Sequence, residues 1–243
     1  FCYFLTPEGV CVAQADKVFA GSTQLFVVTT PDWNAVDGRL QRYQRSSAHG
    51  AWEPVGDSIA IVVGKHGMGW GAGLLEMPAG SHAADDAVKK EGDGRSPAGI
   101  FQLGTAFGYA PEPLSGSKMP YLELTPSVEC VDDVNSKFYN RVLDRSTVVV
   151  DWNSSEHMRD TGESYRWGIV IDHNGIAGPS SSPPVRGGGS CIFLHIWKGA
   201  GHGTAGCTAM APSELEALLH WLDPKRKPLL VQLATSMWIA RQA

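Results

Sequence analysis

"SCIFLHIWKGAGHGTAGCTAM" spans residues 190–210, and its reading decides the fold. Its first part, 190–197, is expected to be a strand. Alternation along a strand puts Cys191, Phe193 and His195 on one face and Ile192, Leu194 and Ile196 on the other. The aliphatic face packs on a core. His195 therefore points away from that core, toward whatever the surrounding loops form. The second part is a loop rich in glycine and alanine that reaches Cys207, twelve residues past His195. Glycine lets backbone approach closely, so Gly203, Ala205 and Gly206 are expected to leave the thiol unobstructed.

After the cysteine, "PSELEALLHWLD" (212–223) reads as the main helix. Leu215, Leu218, Leu219 and Leu222 recur at helical spacing, Ser213 and Glu216 fit a capping box, and Pro224 stops it. Before the motif strand, "AGPSSSPPVRGGGS" (177–190) reads as a loop over the site, with a plain surface loop as the alternative. Strands are expected at 24–30, 38–45, 58–64, 100–104, 121–125, 146–152, 167–174 and 228–234. "KHGMGWGAG" (65–73) holds four glycines and reads as a loop, and 83–99 as an exposed, turn-rich segment. No repeat or composition break divides the chain. The expected fold is mainly β, one sandwich-like domain over 21–243 with one main helix.

With 43% hydrophobic and 19% charged residues in 243, there is ample material for a core. A formal charge of −5 argues against a nucleic-acid binder, which shows a basic face. No run of 18 apolar residues is present to span a membrane as a helix. Residues 1–20 read as an N-terminal segment. Ala13-Gln14-Ala15 matches the end of a signal peptide, whereas Pro7-Glu8-Gly9 favours an ordinary strand. The five cysteines are Cys2, Cys11, Cys130, Cys191 and Cys207. If the first two leave with a signal peptide, a Cys130–Cys191 bridge leaves Cys207 free, although spacing alone does not fix the connectivity.

A thiol attacks as thiolate, and its ordinary pKa is about 8.5. A neighbouring imidazole takes the proton and leaves a reactive ion pair, which forms a thioester with a carbonyl. The developing oxyanion needs N–H donors, for which Gly206 and Cys207 are the natural choice. The bland alternative is a buried structural cysteine with a core histidine. His202 competes as the base but sits in a glycine loop, a poor platform for a group that must be held in place. A zinc site of His195, His202 and Cys207 is a further rival, though the spacing matches no ligand pattern.

His195 followed by Thr204-Ala205-Gly206-Cys207 resembles the L,D-transpeptidase catalytic domain, the YkuD-like family, whose motif is a strand histidine, a loop and [ST]-x-G-C. Ser96-Pro97-Ala98-Gly99 resembles the family's upstream T-P-x-G turn, and "VGKHG" (63–67) is similar to a further element. The resemblance spans roughly 58–235. It implies an exported enzyme of the bacterial cell envelope or periplasm that acts on peptidoglycan stem peptides without metal or cofactor. Cys207 would attack the carbonyl of an L-centre, D-alanine would leave, and an amine would resolve the thioester. With water as acceptor the enzyme is an L,D-carboxypeptidase. The resemblance makes His195 the base, the Ile196 carbonyl its orienting partner and the Gly206 N–H an oxyanion donor. It gives Thr204 a supporting role and makes carbapenem-type inhibitors expected ligands.

The chain departs from the family pattern, close to S-H-G-C-[IV]-R-[ML], in carrying Ala205 and Ala209 at the histidine and arginine positions. Substrate must then be held otherwise. Arg186 is a candidate, against a solvated arginine, and Trp197 a candidate stacking or wall residue, against a core tryptophan. His173 reads as part of a turn with Asn174-Gly175, and Asp132 and Asp133 as solvated or capping. A non-catalytic wall-binding module is the reading from another class.

Overall fold

The structure is a computed structural model and describes residues 18–74, 87–176 and 183–235. The segment 1–17, which carries the signal-peptide reading and Cys2 and Cys11, lies outside the described residues. In chain order the strands are β1 (Gln24–Thr30), β2 (Asp37–Gln44), β3 (Glu53–Val62), β4 (Met68–Trp70), β5 (Ser96–Gly108) and β6 (Tyr121–Glu123). They continue as β7 (Val128–Cys130), β8 (Val142–Asp144), β9 (Glu156–His157), β10 (Trp167–Ile171), β11 (Phe193–Ile196), β12 (Thr208–Met210) and β13 (Leu229–Ala234). Helix α1 covers Pro212–Trp221.

The main sheet runs β10-β11-β12-β3-β2-β1-β13-β5, and β10 also pairs with β5. The sheet thus closes on itself as an eight-stranded barrel-like layer rather than the expected sandwich. Closure satisfies the backbone groups that open edges would expose. The β10–β5 pairing joins Gly168 to Phe107, a long-range register that no local pattern encodes. The barrel strands and α1 share one core, which includes Phe26, Leu40, Ile61, Leu194, Leu218 and Leu230. A second core gathers Phe107, Tyr165, Phe193 and Cys207 with Val128 and Cys130. A small sheet, β8-β7-β9, carries the last two. Among the described residues no helix is long and apolar enough to cross a membrane.

The β11 alternation is as expected. Ile192, Leu194 and Ile196 enter the main core, while Cys191 and Phe193 enter the second. Helix α1 buries Leu215, Leu218 and Leu219 and ends two residues earlier than expected. Its N-cap is Ala211 with no side-chain cap, so the Ser213–Glu216 box does not form. Pro212 starts the helix instead, because its fixed φ suits the first helical position. The run 146–152 is not a strand. Asp144 caps a 3-10 turn at Arg145–Thr147, and Val149 is 81% exposed, with no strand paired beside it. Within the expected loop 65–73, β4 pairs in parallel with β5.

Candidate active site

Three segments far apart in sequence meet at Cys207. Thr204 bridges Gly64 in parallel, its carbonyl accepting from Lys65 N–H at 2.8 Å and its N–H donating to Val63 at 2.9 Å. The Ser96 hydroxyl accepts from Gly64 N–H and donates to the Cys207 carbonyl, both at 2.9 Å. The "VGKHG" and "SPAG" elements are therefore the supports of the cysteine loop. The glycines serve this packing. A β-carbon on Gly203 would stand 2.5 Å from Lys65 Cα, and one on Gly64 2.3 Å from the Gly94 carbonyl.

Cys207 and His195 line one cleft of about 620 Å³. Both are buried, at 7% and 8% exposure, so the thiol is covered rather than unobstructed. Cys207 Sγ accepts from Phe193 N–H at 3.3 Å, and its S–H donates to the Cys191 carbonyl at 3.4 Å. His195 Nδ1 lies 2.8 Å from the Ile196 carbonyl. A carbonyl only accepts, so Nδ1 carries the proton and Nε2 of the neutral ring keeps a lone pair.

Electrostatics correct the expectation of a preformed ion pair. Burial pushes the Cys207 thiol up to about 12, with Glu156 adding to the rise, while the Phe193 N–H, Lys89 and Tyr165 pull the other way. Burial likewise pulls His195 down to about 4, against the Ile196 contact. Both shifts favour the neutral thiol beside the neutral imidazole.

The expected oxyanion donor is also engaged: Gly206 N–H donates to Thr204 Oγ1 at 3.1 Å, and that hydroxyl donates to the Cys207 carbonyl at 2.5 Å. Thr204 thus braces the loop. Trp197 is half-buried and lines the cleft. Arg186 does not line it; the arginine is exposed and its guanidinium donates to the Val134 carbonyl. Asn174 bonds Val185 and Gly189 on either side of Arg186. His202 is exposed at the cleft, its ring 3.2 Å from the Ala200 carbonyl. Among the described residues no group of three His, Cys, Asp or Glu side chains converges as a metal site, so His195, His202 and Cys207 do not form one.

Cys130 and Cys191 form a disulfide, and Cys207 is a free thiol. The bridge ties β7 of the small sheet to the segment entering β11. Asn140 Oδ1 holds Cys191 N–H at 3.0 Å, and its amide donates to the His173 and Asn174 carbonyls. Asn174 and Gly175 adopt the turn conformation expected, with φ of 52° and 73°.

Sequence reasoning missed three polar groups at the thiol. Lys89, 5% exposed, binds Asp93 at 2.6 Å and the Lys90 carbonyl at 2.9 Å. Its Nζ lies 3.5 Å from where a Gly206 β-carbon would stand. Tyr165 packs edge-on against His195 with ring centroids 5.4 Å apart. Its hydroxyl donates to Glu156 at 2.7 Å, and the ring packs in the same core as Cys207. Asp133 caps as expected, accepting from Asn135 and Asn153, whereas Asp132 lines the cleft. No pattern within a few residues marks these groups, since each reaches the cleft from a different element.

The chain matches no family model, no curated protein and no solved structure.

Proposed function

We propose that this protein is an exported cysteine acyltransferase of the L,D-transpeptidase type, acting on peptidoglycan stem peptides. One observation carries the reading: a free thiol and an imidazole with an available Nε2 lone pair share a single cleft. The disulfide supports an oxidising compartment such as the cell envelope.

The chemistry starts from the neutral pair. As a donor peptide fills the cleft, the Cys207 proton passes to His195 Nε2 and the sulfur attacks the L-centre carbonyl. The Phe193 N–H stabilises charge on the sulfur, and the Ile196 carbonyl stabilises the imidazolium. With the Gly206 N–H engaged, the Cys207 N–H is left as the backbone donor for the developing oxyanion, and the Lys89 ammonium on the cleft wall adds positive charge. We assign to Lys89 the positive charge that Arg186 was expected to bring. His195 then returns the proton to the leaving D-alanine.

The test is incubation with tetrapeptide muropeptides carrying diaminopimelate at position three, read by mass spectrometry. Cross-linked dimers or D-amino-acid exchange, lost in Cys207→Ala, are the expected result. Tripeptides alone would mean water is the acceptor, making it an L,D-carboxypeptidase. A second reading, a non-catalytic wall-binding module, has the covered, neutral thiol in its favour. Unchanged muropeptides together with wall binding would select it.

A further inference from the structure

We infer that Glu156 is a further catalytic residue: it binds the ammonium group of the acceptor in the cleft beside Cys207 and takes its proton, with Asp132 completing the ammonium site. The inference rests on the acyl-transfer reading and names the acceptor as a primary amine.

The local fold turns Glu156 into the cleft. Glu156 lies in the two-residue strand β9, and its neighbours Ser155 and His157 both engage the buried Glu129, at 2.7 and 3.2 Å. Glu156 lines the cleft next to Ser155, and its carboxyl is turned to Tyr165 rather than to Glu129. One of its oxygens accepts the Tyr165 hydroxyl, and the tyrosine ring packs against His195 and in the core that holds Cys207, so one side chain separates carboxyl and catalytic pair.

Asp132 supplies an independent observation. Its Oδ1 is shielded from solvent and has no hydrogen-bond partner among the described residues. An orphaned acceptor of this kind is costly unless a ligand donates to it. Asp132 lines the same cleft and acts electrostatically on Glu156. Lys89 on the same cleft wall is held instead by Asp93 and the Lys90 carbonyl. Two carboxyl groups beside an acyl-thioester suit a ligand with several N–H donors and a positive charge, and an ammonium group has both.

Proton exchange fits the environment. Burial raises the Glu156 carboxyl to about 7, Asp132 adds to the rise, and the Tyr165 bond opposes it. The carboxylate therefore accepts a proton near neutral pH more readily than an exposed glutamate.

The step balances. The acceptor R–NH3+ gives one proton to the Glu156 carboxylate and becomes R–NH2. Its lone pair attacks the thioester carbonyl, the C–N bond forms, and collapse of the tetrahedral intermediate breaks C–S and expels the Cys207 thiolate. The second N–H proton passes through His195 to the thiolate, and Glu156 releases its proton to solvent.

Glu156→Gln keeps an oxygen for the Tyr165 bond but neither charge nor proton affinity. With a tetrapeptide stem as donor and a D-amino acid as acceptor, D-alanine release in a single turnover reads acylation, and exchange product reads transfer. The expected result is a fall in transfer of about 100-fold with acylation lowered by no more than about threefold. Asp132→Asn is expected to raise the KM for the amine about tenfold while acylation persists. Equal losses in both half-reactions of Glu156→Gln, undiminished transfer, or an unchanged amine KM in Asp132→Asn would overturn the assignment. If the wild-type protein forms no acyl-enzyme, the acyl-transfer reading fails first and the Glu156 assignment falls with it.

Discussion

The Ser96 hydroxyl donates to the Cys207 carbonyl at 2.9 Å, across 111 residues of sequence. The same oxygen accepts the Gly64 N–H, so one fully buried side chain fixes the cysteine loop to the start of β5 and to the turn after β3. Ser96→Ala leaves the buried Gly64 N–H without a partner, while the Cys207 carbonyl keeps only the Thr204 hydroxyl. Stability should drop by about 1–3 kcal/mol, measured by urea unfolding. Turnover should drop as well, because the cysteine loop loses its anchor.

Thiol reactivity should follow the neutral pair. With Cys207 near 12 and His195 near 4, almost no thiolate exists at neutral pH in the free protein. Iodoacetamide should label Cys207 more slowly than an ordinary free cysteine at pH 7, with the rate climbing steadily above about pH 9. A fast plateau between pH 5 and 8 would reveal a preformed ion pair and contradict the electrostatics of the cleft.

Acid should destabilise the protein through its buried histidines. Burial pulls both His173 and His195 to about 4, below the ordinary value near 6.5. The unfolded chain then binds more protons between those values, so stability is lost as pH falls from about 6.5 toward 4. Each contributes up to about 3 kcal/mol. Glu156 works in the opposite sense, because its raised value makes the folded state gain stability as pH falls from about 7 to its ordinary range. Two histidines against one glutamate leave a net loss, visible in unfolding at pH 4.5 against pH 7. Replacing His173 by Gln should flatten that difference.

Reduction should loosen the site from behind. The Cys130–Cys191 bridge closes a separation of 61 residues, for which loop-closure entropy gives about 4 kcal/mol. It holds the small sheet, and with it Glu156, against the segment whose Cys191 carbonyl accepts the thiol proton. Reductant should lower the melting temperature and the turnover together, and an unchanged melting temperature would show that the bridge adds nothing to stability.

Lys89→Met tests the charge beside the thiol. Loss of the ammonium removes a buried cation that acts on Cys207 from the cleft wall, so acylation should slow by about 10–100-fold. Arg186→Ala, by contrast, removes an exposed arginine bound to the Val134 carbonyl, and acylation should change less than about twofold. The reverse ranking would restore Arg186 to the substrate.

Periodicity made much of the scaffold legible. The two faces of 191–196, the leucine stripe of 215–222 and the strand at 24–30 are each written in neighbours two to four residues apart. The run 146–152 misled for the converse reason: its β-branched residues favour a strand, but no partner strand pairs with them and they stay largely exposed.

Local sequence by itself thus determined a mainly β chain, the orientation of His195 and the main helix after Cys207. Only tertiary structure decided that β10 closes a barrel onto β5, that Cys191 pairs with Cys130, and that Lys89, Tyr165 and Glu156 gather around the thiol. It also decided the protonation of the pair, since burial, not the nearness of histidine to cysteine in the chain, holds both groups neutral. The physical reason is range. Side-chain periodicity is a property of a few adjacent residues, whereas strand closure, desolvation and the meeting of charges depend on segments brought together from across the chain.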